Sequence, residues 1–579
     1  MQFALIASLL ALVQHSLAAC KAVPGTQQWP STQEWARFNQ SLGGVLLMPP
    51  PPGGVCHPGE PNYDAALCPT VAKEWFSSWP FHADDPISNA YTNWNNDSCI
   101  PDPSAPCSGR GYPIYVVNAT TAEHVQQAVT FARNNNIRLN VKSSGHDFLG
   151  RSVAPNSLSI WLHYMQGIQL HESFKPNGFN NDCDYIPEGI NASAPAITFS
   201  PGDNHRTVYA AASSIGMAIP VASEPNVCYG GYVTGAGHSI TGARYGLAAD
   251  QVLEMTVVTP DGEVVVANSC QNSDLFWALR GGGGATFGVI ISTTMTLHPD
   301  LPTAQVVWTG AVLGNTSEHF FDAAAYAFTQ YPDLLDAGWA GYGVVTLGNS
   351  TFPTQGSYFA VEWLGFGLTL DQLLSLLTPI ETYVNQTWPG EFVFSANVTN
   401  WVSFHEYWAA NPDTTTPVGI DLITTSRLMG KSALSNPHLS DYMRNLSGPL
   451  VELQQVLVGG PGVRSKPLSL NSVSPAWRTA YSHTILGVGW YPLDTAVEQQ
   501  QLPILSGYTD ALNDLAPNPG AYVNEADPFE ANYHDIYWGD NYPRLLDIKR
   551  HIDPTDVFWC RVCVGNERWQ EVNGQLCQV

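Results

Sequence analysis

Past residue 112 the chain alternates apolar runs with polar, glycine-marked turns. IYVVNA, from Ile114, reads as a strand. Val125, Ala128, Val129 and Ala132 then recur at helical spacing behind Thr120 and Glu123, the two ends of an expected capping box. Ile137, Leu139 and Val141 alternate as a second strand that runs straight into the loop Ser143–Ser152 (SSGHDFLGRS). The pattern continues through LSIWLH, AITFSPG, a helix near Val208–Ser214 and a hairpin turning on Pro260, Asp261 and Gly262. A short helix from Asp274 to Arg280 meets four glycines, Gly281–Gly284, before the strand VIISTTMTL. From about 301 to 515, longer strands (GYGVVTLG, SYFAVEWLGF) and a helix at Leu370–Thr382 predict an antiparallel sheet carrying helices. The last stretch reads as a strand AYVNEAD, an aromatic loop NYHDIYWGDNY and a helix PRLLDIKRHI. Residues 20–111 lack this grain: rich in Pro, Cys, Trp and Asn, they predict an irregular extension pinned by disulfides.

Composition narrows the class. Of 579 residues 44% are hydrophobic and 11% aromatic, which excludes a disordered chain. Acidic residues outnumber basic ones 49 to 23, and a surface of that sign repels phosphate backbones, so nucleic acid is excluded as a partner. The apolar run Ala4–Val13, followed by small residues at Ser16 and Ala18, predicts a signal peptide over residues 1–19. No later segment is long and apolar enough to span a bilayer, so no membrane association is expected. Secretion also agrees with the sequons at Asn39, Asn96, Asn118, Asn191, Asn315, Asn349, Asn385, Asn397 and Asn445 and with 11 cysteines. In that compartment the CxxC at Cys560 and Cys563 reads as a structural disulfide, and no metal site is expected. The odd cysteine count leaves at least one thiol over.

Several common chemistries lack their motifs: there is no GxSxG, HExxH or GxxxxGK[ST]. GAGHSI at Gly235–Ile240 misses the third glycine of a dinucleotide fingerprint, and Gly281–Gly284 follows a helix rather than a strand. The sharpest local signal is Lys142, Ser143, Ser144, Gly145, His146, Asp147 and Phe148, where a glycine lets backbone amides approach an anion and an imidazole stands on the same turn. Tyr229–Asp250 is a second glycine-rich stretch suited to close approach of a large flat ligand.

Together SSGHDFLGRS, GYVTGAGHS with YGLAADQVLEMTVVTPDG, DLFWALRGGGGATFGVI and YWGDNYPRLLDIKRHIDPTDVFW resemble the FAD-linked oxidases of the vanillyl-alcohol oxidase/berberine bridge enzyme superfamily. WPSTQEW, CHPGEPNYD and FWCRVCVGNERW look most like its secreted fungal branch often named after isoamyl alcohol oxidase. The resemblance implies an α+β, two-domain PCMH-type FAD-binding fold with an antiparallel-sheet substrate domain covered by helices. Its parts would be the extension 20–111, the FAD-binding domain 112–300, the substrate domain 301–515 and a segment 516–579 returning to the flavin.

By the same resemblance, Lys142, Ser143, Ser144, Gly145 and Asp147 wrap the FAD pyrophosphate and His146 is bonded to the flavin 8α-methyl. Tyr232, Gly235, Gly237, His238, Ser239 and Val289 line the cofactor, with Asn524, Tyr537 and Asn541 returning to it. Relatives with a second link use a cysteine at the position of Ser223 or Glu224. Neither is cysteine, so a single attachment is expected, with Cys228 structural or merely near the flavin. Glu525 is the expected base, with Tyr522 and Asp527 beside it; Arg427 and His483 are weaker candidates. The implied activity is a secreted monomeric oxidase that takes a hydride from an alcohol or sugar hydroxyl carbon and passes electrons to oxygen, giving hydrogen peroxide. The alternatives are oxidative cyclisation or desaturation of a secondary metabolite, or a flavin-carrying protein with little turnover.

Overall fold

The computed structural model describes residues 19–179, 194–314, 317–346, 356–413, 416–446, 453–516 and 520–579. The expected signal peptide and Asn191, Asn315 and Asn349 lie outside them, apart from Ala19. Two larger sheets, beside the short pair Met217–Ala218 and His298–Pro299, build the half that precedes residue 300. In the first, Tyr115–Asn118 and Leu139–Lys142 both pair in parallel with Leu158–Trp161, and Leu46–Leu47 closes one edge. A helix, Ala122–Asn134, lies between the first two of these parallel strands in sequence, and it buries the expected stripe Val125, Ala128, Val129 and Ala132. Its cap differs from the expectation. Thr121 is the N-cap and accepts from the His124 amide, while the Thr120 amide donates to His124 Nδ1. The helix therefore starts one residue later and Glu123 falls too early to close a capping box.

The second sheet is antiparallel, in the order Ile168–His171, Ala196–Phe199, Val289–Thr296, Val252–Val258, Val264–Asn268, and the last two strands form the expected hairpin. Beyond residue 300 stands a seven-stranded antiparallel sheet. Its strands are β1 (Thr303–Val312), β2 (Trp339–Thr346), β3 (Tyr358–Phe366), β4 (Phe392–Trp401), β5 (Asp421–Gly430), β6 (Leu453–Leu457) and β7 (Ala480–Trp490). Their order across the sheet is β4-β1-β3-β2-β6-β7-β5. Trp308, Phe359, Trp363, Ile423 and Leu486 bury one face in a core shared with the helices Phe320–Asp336, Leu370–Thr387 and Thr495–Leu515. The middle helix runs past its expected end at Thr382 because Ile380 and Val384 continue the stripe of Leu373 and Leu377 through Pro379.

The C-terminal segment departs most from its expected elements. AYVNEAD is not a strand: Ala521 donates to the Ile536 carbonyl, and a turn closes from the Glu525 amide to the Tyr522 carbonyl. The β propensity of Tyr522 and Val523 yields to that tertiary pairing. Nor is the aromatic stretch a loop; Tyr533–Trp538 is a helix burying Ile536, Tyr537 and Trp538. The expected helix follows at Tyr542–Ile552.

The N-terminal extension is less irregular than expected, since Thr32–Ser41, Cys68–Trp75 and Trp79–Asp84 are helical. Disulfides do pin it, through Cys56–Cys68, Cys99–Cys107 and Cys20–Cys577, the last tying the two ends together. Cys560–Cys563 is also a disulfide, Cys270 is disulfide-bonded, and Cys228 is a buried free thiol. Among the described residues no helix is long and apolar enough to cross a membrane.

Candidate active site

A cavity of about 980 Å³ separates the two larger sheets that precede residue 300 from the seven-stranded sheet. Its first wall begins where the strand Leu139–Lys142 ends. Lys142 turns away from the cavity: its buried ammonium donates to the carbonyls of His82, Ala83 and Asp85, and burial brings its pKa down to about 8. Gly145, at φ +83°, then swings the chain so that His146 enters the cavity. The imidazole stacks on Trp79 at 3.9 Å and 9°. Burial, assisted by the Lys142 charge, holds its pKa well below the ordinary value, so the ring is neutral. Both ring nitrogens are buried without a hydrogen-bond partner. Ser143, Ser144 and Asp147 line the same wall, Asp147 gripping Arg151 at 2.6 and 3.0 Å.

The second wall comes from the turn after the helix Tyr229–Gly235. Gly237 takes φ +72° where a Cβ would meet that of Ala248 at 2.6 Å, and the Tyr232 hydroxyl donates to the His238 carbonyl at 2.6 Å. This fixes His238 on the cavity wall. Gly235 lies under Asn524, whose amide a Cβ there would strike at 2.3 Å.

The third wall is the turn that replaces the expected strand. Asn524 and Glu525 both line the cavity, which neighbours on a strand do not do, since alternate residues face opposite sides. Glu525 accepts from His238 Nε2 at 3.2 Å and from His483 Nε2 at 2.8 Å. Burial works against ionising Glu525, but the two imidazoles outweigh it and hold the carboxyl below its usual range. His483, fully buried behind Glu525, is pushed down by burial. The Nδ1 atoms of His238 and His483 have no partner. These three donors lie within 4.8 Å of one another, yet each imidazole Nε2 is already directed at the carboxylate.

Comparison with known proteins places these walls. Residues 113–268 match an FAD-binding domain and residues 521–564 a berberine and berberine-like segment. The chain is 32% identical over 97% of its length to the VAO-type flavoprotein oxidase VAO615 of Thermothelomyces thermophilus, covering 95% of that protein. The chain belongs to the VAO/BBE family of FAD-linked oxidoreductases. Its fold superposes on the VAO-type flavoprotein MtVAO713 of Myceliophthora thermophila with a TM-score of 0.89 at 29% identity, covering 97% of this chain and all of that one. MtVAO615 from the same organism gives 0.84 at 31%, again covering 97% and 100%.

The residues present fit the flavin this family carries. An unpaired buried polar atom costs roughly 1–3 kcal/mol, and both nitrogens of His146 stand unpaired on the cavity wall. Of the cofactor-side residues expected from sequence, Ser143, Ser144, Gly145, His146, Asp147, Tyr232, His238, Val289 and Asn524 line the cavity of this VAO/BBE-family protein. Lys142, Gly235, Gly237 and Ser239 stand behind the wall and shape it; the Ser239 hydroxyl accepts from the Val221 amide. Tyr537 donates to the Asp527 carbonyl and Asn541 donates to that of Val473 at 2.9 Å, so neither reaches the cavity. Of the catalytic candidates, Tyr522 and Glu525 line it. Asp527 is turned toward Thr509 and the Phe529 amide, and burial raises its pKa. Arg427 is fully buried in a pair with Glu530 at 2.6 Å, away from the site. Cys228 lines the cavity, its thiol pushed up to about 12 by burial.

Sequence reasoning missed Trp79, which no motif marks, and three residues lining the opposite side of the cavity, Tyr342, Glu362 and Asp413. For Tyr342 the signal was available: period-two reading of GYGVVT sends Tyr342, Val344 and Thr346 to one face, and all three line the cavity.

Proposed function

We propose that this protein is a secreted oxidase whose FAD is attached through His146 alone and which oxidises a CH–OH group to the carbonyl. One observation carries the reading: a single cavity presents an unpartnered neutral imidazole, His146, and a second imidazole, His238, backed by a carboxylate. When bound, FAD supplies the hydride acceptor and returns the electrons to oxygen as hydrogen peroxide. His146 offers a lone pair because its ring is neutral, and stacking on Trp79 fixes its orientation. Attachment through one residue keeps the cofactor where none can be replaced. Cys228 is a poor second nucleophile, because its thiol is largely protonated at neutral pH.

The substrate hydroxyl proton goes to His238 Nδ1, which has no other partner, while Glu525 holds the ring and stabilises the imidazolium that forms. Glu525 thus serves as the orienting group rather than the base. A carboxyl held below its usual range is a weak proton acceptor, and efficient bases have a pKa near the working pH. His483 fixes the other carboxylate oxygen. A small molecule and oxygen are the proposed partners and the chain acts as a monomer; Asn96, Asn385, Asn397 and Asn445 are exposed and Asn39 and Asn118 half-buried as glycan acceptors. Oxidative cyclisation would use the same cavity without net release of a carbonyl product.

The test is acid denaturation of the purified protein beside His146→Ala, followed by a peroxide-coupled alcohol screen. Flavin that stays with the wild-type polypeptide and is lost from the variant supports single attachment. Flavin retained in the variant points to Cys228, and colourless folded wild-type protein overturns the covalent reading.

A further inference from the structure

The face of the seven-stranded sheet opposite its helices forms the floor of the cavity. Across β6, β7 and β5 the facing pairs are Gln454 with Ile485, Thr424 with Gly487 and Leu422 with Gly489, and all six residues line it. Gly487 sits well inside β7, where glycine weakens a strand. Its φ lies outside the left-handed region, and a Cβ added there meets nothing nearer than 3.6 Å. Neither backbone conformation nor crowding requires glycine, so the effect of the missing side chain is to leave room in the cavity.

Two further features describe what that room accepts. Thr424 and Thr346, 6% and 5% exposed, belong to the cavity lining, and their buried hydroxyls have no hydrogen-bond partner. Each is a buried unpaired polar group that an oxygen or nitrogen reaching it would satisfy. The charge balance of the lining is also one-sided. Asp147, Glu224, Glu362, Asp413 and Glu525 line the cavity, and among the described residues Arg151 is the one Lys or Arg side chain that does. Its guanidinium is held by Asp147 and Asn524. An anionic group entering beside Glu224, Glu362 and Asp413 loses its hydration and gains no cation.

We propose that Gly487 opens an arm of the substrate site that admits an extended, hydroxyl- or carbonyl-bearing molecule without negative charge and rejects its anionic counterparts. The proposal rests on the reading of the sheet side of this cavity as the substrate site. It is tested on the flavin-loaded Gly487→Cys protein with methanethiosulfonates that are methyl, benzyl, trimethylammonium-ethyl or sulfonatoethyl substituted. Each forms a mixed disulfide with the thiolate and releases methanesulfinate. Rates are divided by those with free cysteine, and wild-type protein reports any background from Cys228.

Benzyl and methyl reagents are expected to react at comparable normalised rates, and the cationic reagent about tenfold or more faster than the anionic one. Absence of labelling, or exclusion of the benzyl reagent alone, overturns the arm. An anionic rate equal to the cationic one overturns the charge selection. Thr424→Cys, facing the same space from β5, must give the same order and serves if Gly487→Cys fails to fold. Labelling requires no turnover. A failed peroxide screen with the expected labelling order therefore sinks the proposed oxidation and leaves the arm standing, and the reverse pattern does the opposite.

Discussion

The two sides of the cavity are built on different rules. On the cofactor side the chain leaves regular structure, and glycines at positive φ or under close contact shape the wall, as at Gly145 and Gly237. On the proposed substrate side the chain stays in strands, and every second side chain of an ordinary sheet lines the cavity, as with Tyr342, Val344 and Thr346. A wall of backbone suits a ligand that never changes. A wall of strand side chains can be reshaped for a different ligand, because substitution on a strand leaves the scaffold intact. The pair proposed to move the proton lies at the seam, His238 from the first side and Glu525 from the turn joining both.

The largest effect is expected at that seam. His238→Ala, normalised for flavin content, should lower kcat by about 10²–10⁴-fold, the usual worth of a positioned base. Glu525→Gln should cost less, because the base survives but loses its orienting carboxylate, and the acid limb of the pH–rate profile should move with it. Steady-state kinetics across pH check both. A Glu525→Gln loss exceeding that of His238→Ala would return the base to Glu525.

Next comes the cofactor wall. Gly237→Ala places a Cβ 2.6 Å from that of Ala248 at φ +72°. Overpacking costs about 1–3 kcal/mol and the backbone strain adds to it. The melting temperature should fall by several degrees and flavin content with it. A variant as stable as wild type would mean the turn relaxes freely and the contrast between the walls is overstated.

The same wall carries a pH dependence. His82, in the helix Trp79–Asp84, donates from Nε2 to the Trp75 carbonyl at 2.8 Å, and Nδ1 of the neutral ring accepts from the Ser88 hydroxyl at 2.7 Å. Burial brings its pKa from 6.5 down to about 4. Between those values the unfolded chain binds the proton and the folded one does not, so this contribution is full above 6.5 and lost as pH falls toward 4. The slope is about 1.4 kcal/mol per pH unit. His82→Gln should shrink the difference in melting temperature between pH 7 and pH 4.5; an unchanged difference would remove His82 as its source.

What was legible in the sequence follows the same division. The loop around His146 was readable because a rare conformation demands particular residues in a particular order. The hairpin at Pro260–Gly262 and the stripe of Ala122–Asn134 were readable for local reasons too. AYVNEAD was misread because its conformation is set by Ile536 and the end of β5, partners distant in sequence, against its own β propensity. The joining of His238, His483 and Glu525 was invisible for the same reason: three elements, each ordinary alone, meet only when the sheets close. Trp79 against His146 is a contact across more than sixty residues that no spacing announces.

The smallest expected effect is the most discriminating. Gly487→Ala makes the same chemical change as Gly237→Ala, but on the strand wall, where a Cβ meets nothing nearer than 3.6 Å, ordinary van der Waals contact. Alanine lowers the conformational entropy of the unfolded chain, so stability should hold or rise by about 0.4–1 kcal/mol. The sign is therefore opposite on the two walls. Paired melting curves for the two variants decide the matter: a shared loss would mean that Gly487 is retained for packing, and the open space beside it would then be incidental to the fold rather than room kept for a ligand.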